Sequence, residues 1–238
     1  MRVGIAGCGL IGGSLALALR GTHEVRAYDP AGTGDILSVR RLDDLLPADV
    51  VIVATPLAQI VPTLSALVRH SAEALLLDVG SLKREVAAFA DTAPAASRIV
   101  GGHPMAGTTD QGYGAARADL FRDRPFFLVP TARSDERAMA TAGDIARAVG
   151  AVPTVVSAAE HDRIVATLSG LPLAVALALA RTGAELSDLA GPGFRDATRL
   201  AATPPELAAA LLRGNAVEVR AAIARFRAAL DAVERDLG

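Results

Sequence analysis

The sequence is poor in several residue types, and each scarcity limits what the protein can do. Among 238 residues there are one cysteine, no tryptophan and four histidines. The single cysteine, Cys8, excludes an internal disulfide and is typical of a protein in the reducing cytoplasm. The histidines do not have the spacing of a metal site, so we expect no bound metal. The formal net charge of −2 gives no electrostatic reason to expect binding to nucleic acid or to an anionic membrane.

Long apolar runs are also missing. The most apolar stretch, 171–180, contains Pro172 and is much shorter than a membrane span. A strand-like pattern begins at Arg2 and leaves no room for a signal or transit peptide. With 51% hydrophobic and 21% charged residues, the composition indicates a globular protein of one large or two modest domains. We therefore expect a cytoplasmic protein with no membrane partner.

Glycine is present at the spacing of a dinucleotide-binding loop. A short apolar strand, 3–6, is followed by glycines in the pattern G-x-G-x-x-G and then by an apolar helix. The first glycine permits a tight turn, the second lets the backbone approach a pyrophosphate, and the third lets the helix pack on the strand. The N–H groups that open the helix can then bind phosphates. This pattern predicts a Rossmann-type domain with the cofactor-binding residues Gly7, Gly9, Leu10, Ile11 and Gly12.

Asp29 follows the next strand, 22 residues after Gly7. A carboxylate at this place can bind the ribose hydroxyls of adenosine and repels a 2′-phosphate, so it predicts NAD over NADP. An ordinary turn aspartate before Pro30 is the alternative. The connection 31–47 is too short for the helix and strand that usually come next, so we expect a truncated connection.

Polar residues follow three predicted strands at the point where each strand ends. Three apolar runs are typical of parallel strands covered on both faces: 49–54, 74–79 and 98–100. Thr55 and Pro56 follow the first run, Ser81 follows the second, and His103 follows the third. Open α/β sheets bind ligands at the carboxyl ends of their strands. We therefore expect Thr55 and Pro56 to bind the cofactor, beside a crevice that also contains Ser81 and His103.

His103 lies on a predicted loop, 101–112, among glycines. The unperturbed pKa of histidine is near neutrality, which suits proton transfer. A turn that happens to contain a histidine is the alternative. The three strand ends at one edge of the sheet favour the catalytic interpretation.

Beyond residue 157 the chain becomes rich in alanine and leucine at helical spacing, and no strand is predicted. We predict a nucleotide-binding domain at 1–156 and a helical domain at 157–238. The predicted fold class is α/β: a doubly wound Rossmann-type sheet followed by an all-α dimerisation domain. The helical part has more apolar surface than it can bury alone, so we expect a homodimer. Packing of this surface against the sheet domain is the alternative.

An arginine pair stands out in the helical part. Arg195 and Arg199 are one turn apart on a helix predicted to begin near 191. Such a pair can bind a substrate carboxylate through bidentate contacts. A surface arginine pair is the alternative, because 24 residues are basic and all but Lys83 are arginine.

Five motifs are distributed along nearly the whole chain. They are G-C-G-L-I-G-G-S at 7–14, D-V-G-S-L-K at 78–83, G-H-P-M-A-G-T at 102–108, E-H-D at 160–162 and G-F-R-D-A-T-R at 193–199. In this order and spacing, they resemble the TyrA family of prephenate and arogenate dehydrogenases. The resemblance implies NAD-dependent oxidative decarboxylation of a cyclohexadienol, a step in the biosynthesis of tyrosine.

The same resemblance implies roles for individual residues. His103 is the general base that accepts the proton of the substrate hydroxyl, and Ser81 hydrogen-bonds this histidine or the substrate hydroxyl. Arg199 binds the substrate carboxylate, with Arg195 as its helper. Thr108, in the histidine motif, is also expected to bind substrate.

Several points stay open. Lys83 either forms a structural salt bridge or belongs to the site, and His161 is expected to position another group or to cap a helix rather than to react.

The TyrA pattern has histidines where this chain has Gly170 and Leu173, so both prephenate and arogenate are candidate substrates. A different two-domain Rossmann reductase and a non-catalytic paralogue are remoter alternatives.

Overall fold

The computed structural model of the protein describes residues 1–71, 73–108 and 110–237. It consists of two units, Met1–His161 and Asp162–Gly238. The division lies inside a helix, shortly after the boundary that the sequence pattern predicts near 156.

A seven-stranded sheet forms the centre of the first unit. Its strands are β1 (Arg2–Ala6), β2 (Glu24–Tyr28), β3 (Val50–Val53), β4 (Leu75–Asp78), β5 (Arg98–Pro104), β6 (Pro125–Pro130) and β7 (Val152–Val155). Their order across the sheet is β2-β1-β3-β4-β5-β6-β7. Strands β1 to β5 are parallel, β6 is antiparallel to β5, and β7 is parallel to β6. The predicted fold class is confirmed, with two reversed strands at one edge.

Helices cover both faces of this sheet. They are α1 (Leu10–Leu19), α2 (Leu57–Leu67), α3 (Arg84–Thr92) and α4 (Glu136–Ala148). Side chains of a strand point alternately to the two faces. Accordingly, Ile52 of β3 shares a core cluster with Leu15 of α1, whereas Val51 shares the other cluster with Leu64 of α2. Because both faces are covered, every residue of β3 is buried, which accounts for its continuous apolar sequence.

The connection 31–47 is short, as expected. It contains a 3₁₀ helix, Leu42–Leu45, and an isolated parallel bridge between Ala27 and Ser38. The bridge lies beside β2, at the edge of the sheet. Among the described residues no further strand forms outside β2, so this single bridge takes the place of an outer strand.

Strand β5 is longer than predicted and includes His103. Its pairing with β4 ends at Gly101. Its antiparallel pairing with β6 continues, so that His103 lies opposite Phe127. The expectation that His103 lies on a loop is therefore wrong, because pairing with β6 holds its backbone in the sheet.

The described part of the second unit is helical. Its helices are α5 (Ala158–Val165), which begins in the first unit, α6 (Leu171–Thr182), α7 (Pro192–Thr198), α8 (Pro205–Gly214) and α9 (Ala216–Arg235). Between α5 and α6, Ala166–Gly170 forms a π-helical turn in which the N–H of Leu171 donates to the carbonyl oxygen of Ala166. The next residue, Pro172, has no N–H to donate. Turns of this type are frequent at functional sites.

One helical stretch, Ala158–Thr182, meets the length and composition of a membrane span. It is longer than the apolar run visible in the sequence, and 28% of its most apolar window is buried. A single stretch of this kind is weak support for a membrane location, because a helix that packs against other protein surfaces has a similar composition.

Candidate active site

The glycine loop between β1 and α1 requires glycine at two positions. Gly7 has a φ of +92°, and a Cβ there would lie 2.6 Å from the carbonyl oxygen of Ala54. A Cβ on Gly12 would lie 1.8 Å from the carbonyl oxygen of Gly7. Gly9, in contrast, has no atom within 4 Å of its Cβ position. The loop is therefore closely packed on one side and open at Gly9, beside the N–H groups that begin α1 at Leu10.

Asp29 lies beside this loop, at the end of β2. Its Oδ2 accepts a hydrogen bond from the N–H of Cys8 at 2.6 Å, and its Oδ1 accepts one from the N–H of Ala31 at 2.8 Å. Backbone groups thus fix the carboxylate where Rossmann-type domains bind ribose. Burial, with the charges of Asp29 and Asp35, raises the pKa of the Cys8 thiol to about 11. Cys8 is therefore protonated near neutral pH and is not a reactive thiol.

The turn after β3 closes the other side of the loop. The backbone nitrogen of Thr55 lies 2.8 Å from the Cβ position of Gly7. The Oγ1 of Thr55 is buried and has no hydrogen-bond partner among the described residues. A buried polar atom without a partner costs about 1–3 kcal/mol, so a ligand atom that pairs with this hydroxyl is stabilised. Pro56 follows as the exposed N-cap residue of α2.

These groups fit a dinucleotide. They combine an open glycine turn, a helix N-terminus, a fixed carboxylate and an unpaired hydroxyl. For a metal ion there is no comparable set: within the described ranges, no group of three His, Cys, Asp or Glu side chains could hold one.

The single lysine forms a buried ion pair at the carboxyl end of β4. The side chains of Lys83 and Asp78 have no solvent exposure, and Nζ of Lys83 donates to Oδ1 of Asp78. The N–H of Gly80 donates to the same oxygen at 2.9 Å. Burial raises the pKa of the Asp78 carboxyl, and the charge of Lys83 opposes this rise. Lys83 therefore takes part in a structural ion pair next to the predicted crevice.

His103 follows the last pairing of β5 with β4 by two residues. Its side chain is partly buried, and its Nδ1 lies 2.9 Å from Nε2 of His161 in α5. His161 is fully buried, and its ring packs edge-on against Phe127 with the ring centroids 5.4 Å apart. Burial, then His161 and Lys83, lower the pKa of His103 well below its usual 6.5. The imidazole is therefore neutral at neutral pH and can accept a proton.

Ser81 and Thr108 make fewer contacts than His103. Ser81 is partly buried, and no hydrogen bond joins its hydroxyl to His103 in the part of the chain that the structure describes. Ser81 nevertheless follows β4, and His103 lies near the end of the neighbouring parallel strand β5, at the same edge of the sheet. Thr108 is exposed, and its Oγ1 accepts a hydrogen bond from the N–H of Asp110 at 3.2 Å.

The two arginines lie in the second unit, on helical turns of different type. Arg195 belongs to α7, whereas Arg199 begins a 3₁₀ helix, Arg199–Ala202. The single helix expected for the pair is interrupted because Thr198 has φ −97° and ψ 0°. Both side chains are exposed, and Nε of Arg195 donates to the carbonyl oxygen of Ala190 at 3.1 Å. Arg199 has no hydrogen bond or ion pair to any other described residue, so its guanidinium is available to a ligand.

The two departures from the TyrA pattern are buried within the second unit. Leu173 is 5% exposed. A Cβ on Gly170 would lie 2.9 Å from Cγ2 of Val219 in α9. A side chain at position 170 would therefore require the Val219 side chain to shift, so the close approach of α9 favours glycine here.

Both units match one known family. The family described as "Prephenate dehydrogenase, nucleotide-binding domain" matches residues 26–155, and "Prephenate dehydrogenase, dimerization domain" matches residues 157–237. The chain belongs to the prephenate dehydrogenase family. This confirms the resemblance that the five motifs indicate.

Individual members of the prephenate dehydrogenase family are similar over much of their length. Prephenate dehydrogenase of Bacillus subtilis is 34% identical over 227 residues, which cover 85% of this chain and 61% of that protein. The chain therefore spans less than two thirds of this relative. Synechocystis arogenate dehydrogenase has a TM-score of 0.85 at 30% identity, covering 99% of this chain and 91% of that one. Prephenate dehydrogenase from A. aeolicus, in complex with hydroxyphenyl propionate and NAD+, has a TM-score of 0.89 at 27% identity. The match covers 99% of this chain and 90% of that one.

One contact of the site could not be predicted from spacing. His161 is 58 residues from His103, and only folding brings the two rings together. The available sequence signal is the E-H-D motif at 160–162, which marks the position without indicating its partner.

Replacing Lys83 with methionine should lower the free energy of unfolding by about 3–5 kcal/mol, because Asp78 is left as a buried charge with its main partner removed. Urea denaturation at neutral pH measures this loss. The unpaired carboxyl has a raised pKa, so the loss should shrink as the pH falls and Asp78 becomes protonated.

The double variant Asp78→Asn, Lys83→Met is the matched control. It should recover most of the lost stability, because it removes both charges together. A loss in K83M as small as that of a surface pair, about 0–1 kcal/mol, would show that the ion pair does not stabilise the fold.

Proposed function

We propose that the protein is an NAD-dependent prephenate dehydrogenase, which converts prephenate to 4-hydroxyphenylpyruvate by oxidative decarboxylation. The neutral imidazole of His103, at the edge of a sheet that also carries a dinucleotide loop, is the observation that supports this most strongly. Arogenate is the second candidate substrate. It is favoured by Gly170 and Leu173 in place of the two histidines of the TyrA pattern, and by the similarity to Synechocystis arogenate dehydrogenase.

The first unit contains the residues that would hold NAD. The open turn at Gly9 and the N–H groups of Leu10 and Ile11 suit the pyrophosphate. Asp29 suits the ribose hydroxyls and disfavours the 2′-phosphate of NADP. The unpaired hydroxyl of Thr55 offers a further hydrogen bond. When bound, NAD supplies the nicotinamide ring that accepts a hydride from the substrate.

His103 serves as the general base. Its neutral imidazole accepts the proton of the substrate hydroxyl while that oxygen becomes a carbonyl oxygen. Loss of CO2 then makes the ring aromatic, and the protonated imidazole returns the proton to the phenolic oxygen. Since Nδ1 of His103 already contacts His161, we assign the hydroxyl of Ser81 to a hydrogen bond with the substrate hydroxyl.

The remaining contacts to substrate come from exposed residues. Arg199, with no protein partner among the described residues, binds a substrate carboxylate through charge-assisted hydrogen bonds. Arg195 assists it, and Thr108 contributes a hydroxyl. Residues 1–156 thus bind the cofactor and contribute His103, Ser81 and Thr108, and residues 157–238 contribute the substrate-binding arginines and bind a second copy of the chain.

We infer a homodimer formed through the helical domain. The stretch Ala158–Thr182 is apolar and mostly not buried within one chain, and its residue Leu168 is 65% exposed. The family description of residues 157–237 as a dimerization domain supports a protein partner for this surface. In a cytoplasmic enzyme, a second copy of the chain would cover this apolar surface. In a membrane protein, lipid would cover it.

Replacing His103 with asparagine should lower kcat by about 10²–10⁴-fold, because the general base is lost while the NAD-binding residues stay intact. The assay follows NADH formation with prephenate and with arogenate, each with NAD and then NADP, and the Kd of NAD is measured separately. His70→Asn, which changes an exposed histidine, is the control and should retain full activity. If folded protein that binds NAD turns over neither substrate, the proposed function is wrong. If H103N keeps normal turnover, His103 is not the base.

Replacing Arg199 with alanine should raise the KM for substrate by about 10–100-fold, the loss expected for hydrogen bonds to a charged group. The kcat and the Kd of NAD should change little, because the arginine contacts neither the reacting proton nor the cofactor. Arg213→Ala, at another exposed arginine, is the matched control. An unchanged KM in R199A would mean that the carboxylate binds elsewhere.

Sedimentation equilibrium should give twice the chain mass of 24.3 kDa. Leu168→Asp should shift the protein toward the monomer, because it places a charge on the apolar helix. Leu37→Asp is the matched control, since Leu37 in the first unit is 63% exposed and Leu168 is 65% exposed. A wild-type protein that sediments as a monomer, or a dimer unaffected by L168D, would contradict this interface.

A further inference from the structure

Among the residues that the structure describes, one ring nitrogen of His103 makes a hydrogen bond. Its Nδ1 lies 2.9 Å from Nε2 of His161. Its Nε2 has no hydrogen-bond partner among the residues that the structure describes. Nε2 is therefore the atom that can meet a substrate proton.

The contact between the two rings constrains their tautomers. A neutral imidazole has one N–H and one lone pair, so either ring could donate across the 2.9 Å contact. For Nε2 of His103 to accept a proton, its lone pair must be free, and the hydrogen must be on Nδ1. Nδ1–H then donates to Nε2 of His161, which must present a lone pair.

We propose that His161 is a positioning residue that accepts the Nδ1–H of His103 and thereby keeps the Nε2 lone pair of His103 available to the substrate. This inference rests on the proposed function, in which His103 is the base. In the step, the substrate hydroxyl proton moves to Nε2 of His103, and the O–H electron pair forms the C=O bond as the ring carbon loses its hydrogen as hydride. Nδ1 keeps its proton, and His161 neither gains nor loses one.

The surroundings hold both rings in this arrangement. His161 has no solvent exposure, and its ring meets Phe127 at an interplanar angle of 89°. Phe127 lies directly opposite His103 in the pairing of β5 with β6. One pair of strands therefore fixes the backbone of the base and the ring that supports its partner, so rotation of either imidazole is restricted.

An imidazole partner differs from the carboxylate that orients histidine in many catalytic triads. A carboxylate raises the pKa of the histidine, whereas burial, His161 and Lys83 all lower the pKa of His103. The base is therefore oriented without being charged before the reaction. Once protonated, its imidazolium still donates Nδ1–H to the lone pair of His161.

Two substitutions of His161 separate orientation from packing. His161→Phe keeps an aromatic ring against Phe127 but removes the acceptor nitrogen. His161→Gln keeps an amide oxygen that can accept Nδ1–H and does not titrate. We expect kcat to fall by about 10–100-fold in H161F, the range for loss of an orienting hydrogen bond, and to stay near the wild-type value in H161Q. The Kd of NAD should be unchanged in both.

The pH profile gives a readout that a packing role would not move. The titratable groups that act on His103 are His161 from α5 and Lys83, paired with Asp78, from the end of β4; Phe127 from β6 is apolar. Wild-type kcat/KM should fall only well below pH 6.5, where His103 becomes protonated. In H161Q an acceptor for Nδ1–H remains, so the acid limb should stay near its wild-type position. H161F removes the acceptor that stabilises the imidazolium, so its acid limb should move to lower pH.

Long-range ¹H–¹⁵N NMR spectra of histidine-labelled protein show directly which nitrogen of His103 carries the proton. The wild type should have it on Nδ1, and H161F should lose this preference. Three results would each overturn the role of His161. They are a proton on Nε2 of His103 in the wild type, full activity in H161F, and an equal fall of kcat in folded H161F and H161Q. This readout needs no turnover, and H161Q decides the question if H161F does not fold. Normal activity in H103N would instead show that His103 is not the base, and a folded wild-type protein that turns over neither substrate would refute the proposed function.

Discussion

The buried ion pair of Asp78 and Lys83 is the interaction on which the carboxyl edge of the sheet depends. Removing two charges from water costs several kcal/mol for each ion, so such a pair persists only with good geometry and further hydrogen bonds. The N–H of Gly80 supplies one of these bonds. The Lys83 side chain also packs on Gly101, where a Cβ would lie 2.9 Å from its Cδ. The pair therefore connects the turn after β4 to the strand that carries His103.

This arrangement supports the proposal that His103, a histidine on a strand, serves as the general base. Pairing with β6 holds the His103 backbone, and His161 engages one ring nitrogen, so the imidazole has little freedom. Burial and the nearby Lys83 charge lower its pKa, so the ring holds no extra proton before the substrate arrives. A base with a low pKa attracts a proton weakly. The orientation of His103 therefore contributes more to catalysis in this proposal than its basicity does. An imidazole that is already held in place loses little conformational entropy when it meets the hydroxyl proton.

Features set by short stretches of sequence were predictable. The strands β3 and β4 are recognisable as continuous apolar runs because both of their faces are buried. The turn at Gly7 is recognisable from the G-x-G-x-x-G spacing of glycines because a Cβ at this position would clash with the backbone. The extension of β5 through His103 was not predictable. Its two glycines have low strand propensity, and the partner strand β6 comes later in the chain. The contact of His103 with His161 escaped prediction for the same reason, since it depends on two segments that only the fold brings together.

The burial of Lys83 has a consequence for the chemistry of the protein surface. Lys83 is the only lysine in the sequence, and it has no solvent exposure. The surface cations are arginines, whose guanidinium groups do not react with acylating reagents under conditions that modify amines. No lysine side chain of the folded protein is therefore open to acetylation or ubiquitination. Acylation of Lys83 would therefore occur only when the carboxyl edge of the sheet opens locally. The rate of this reaction would measure how often that edge opens.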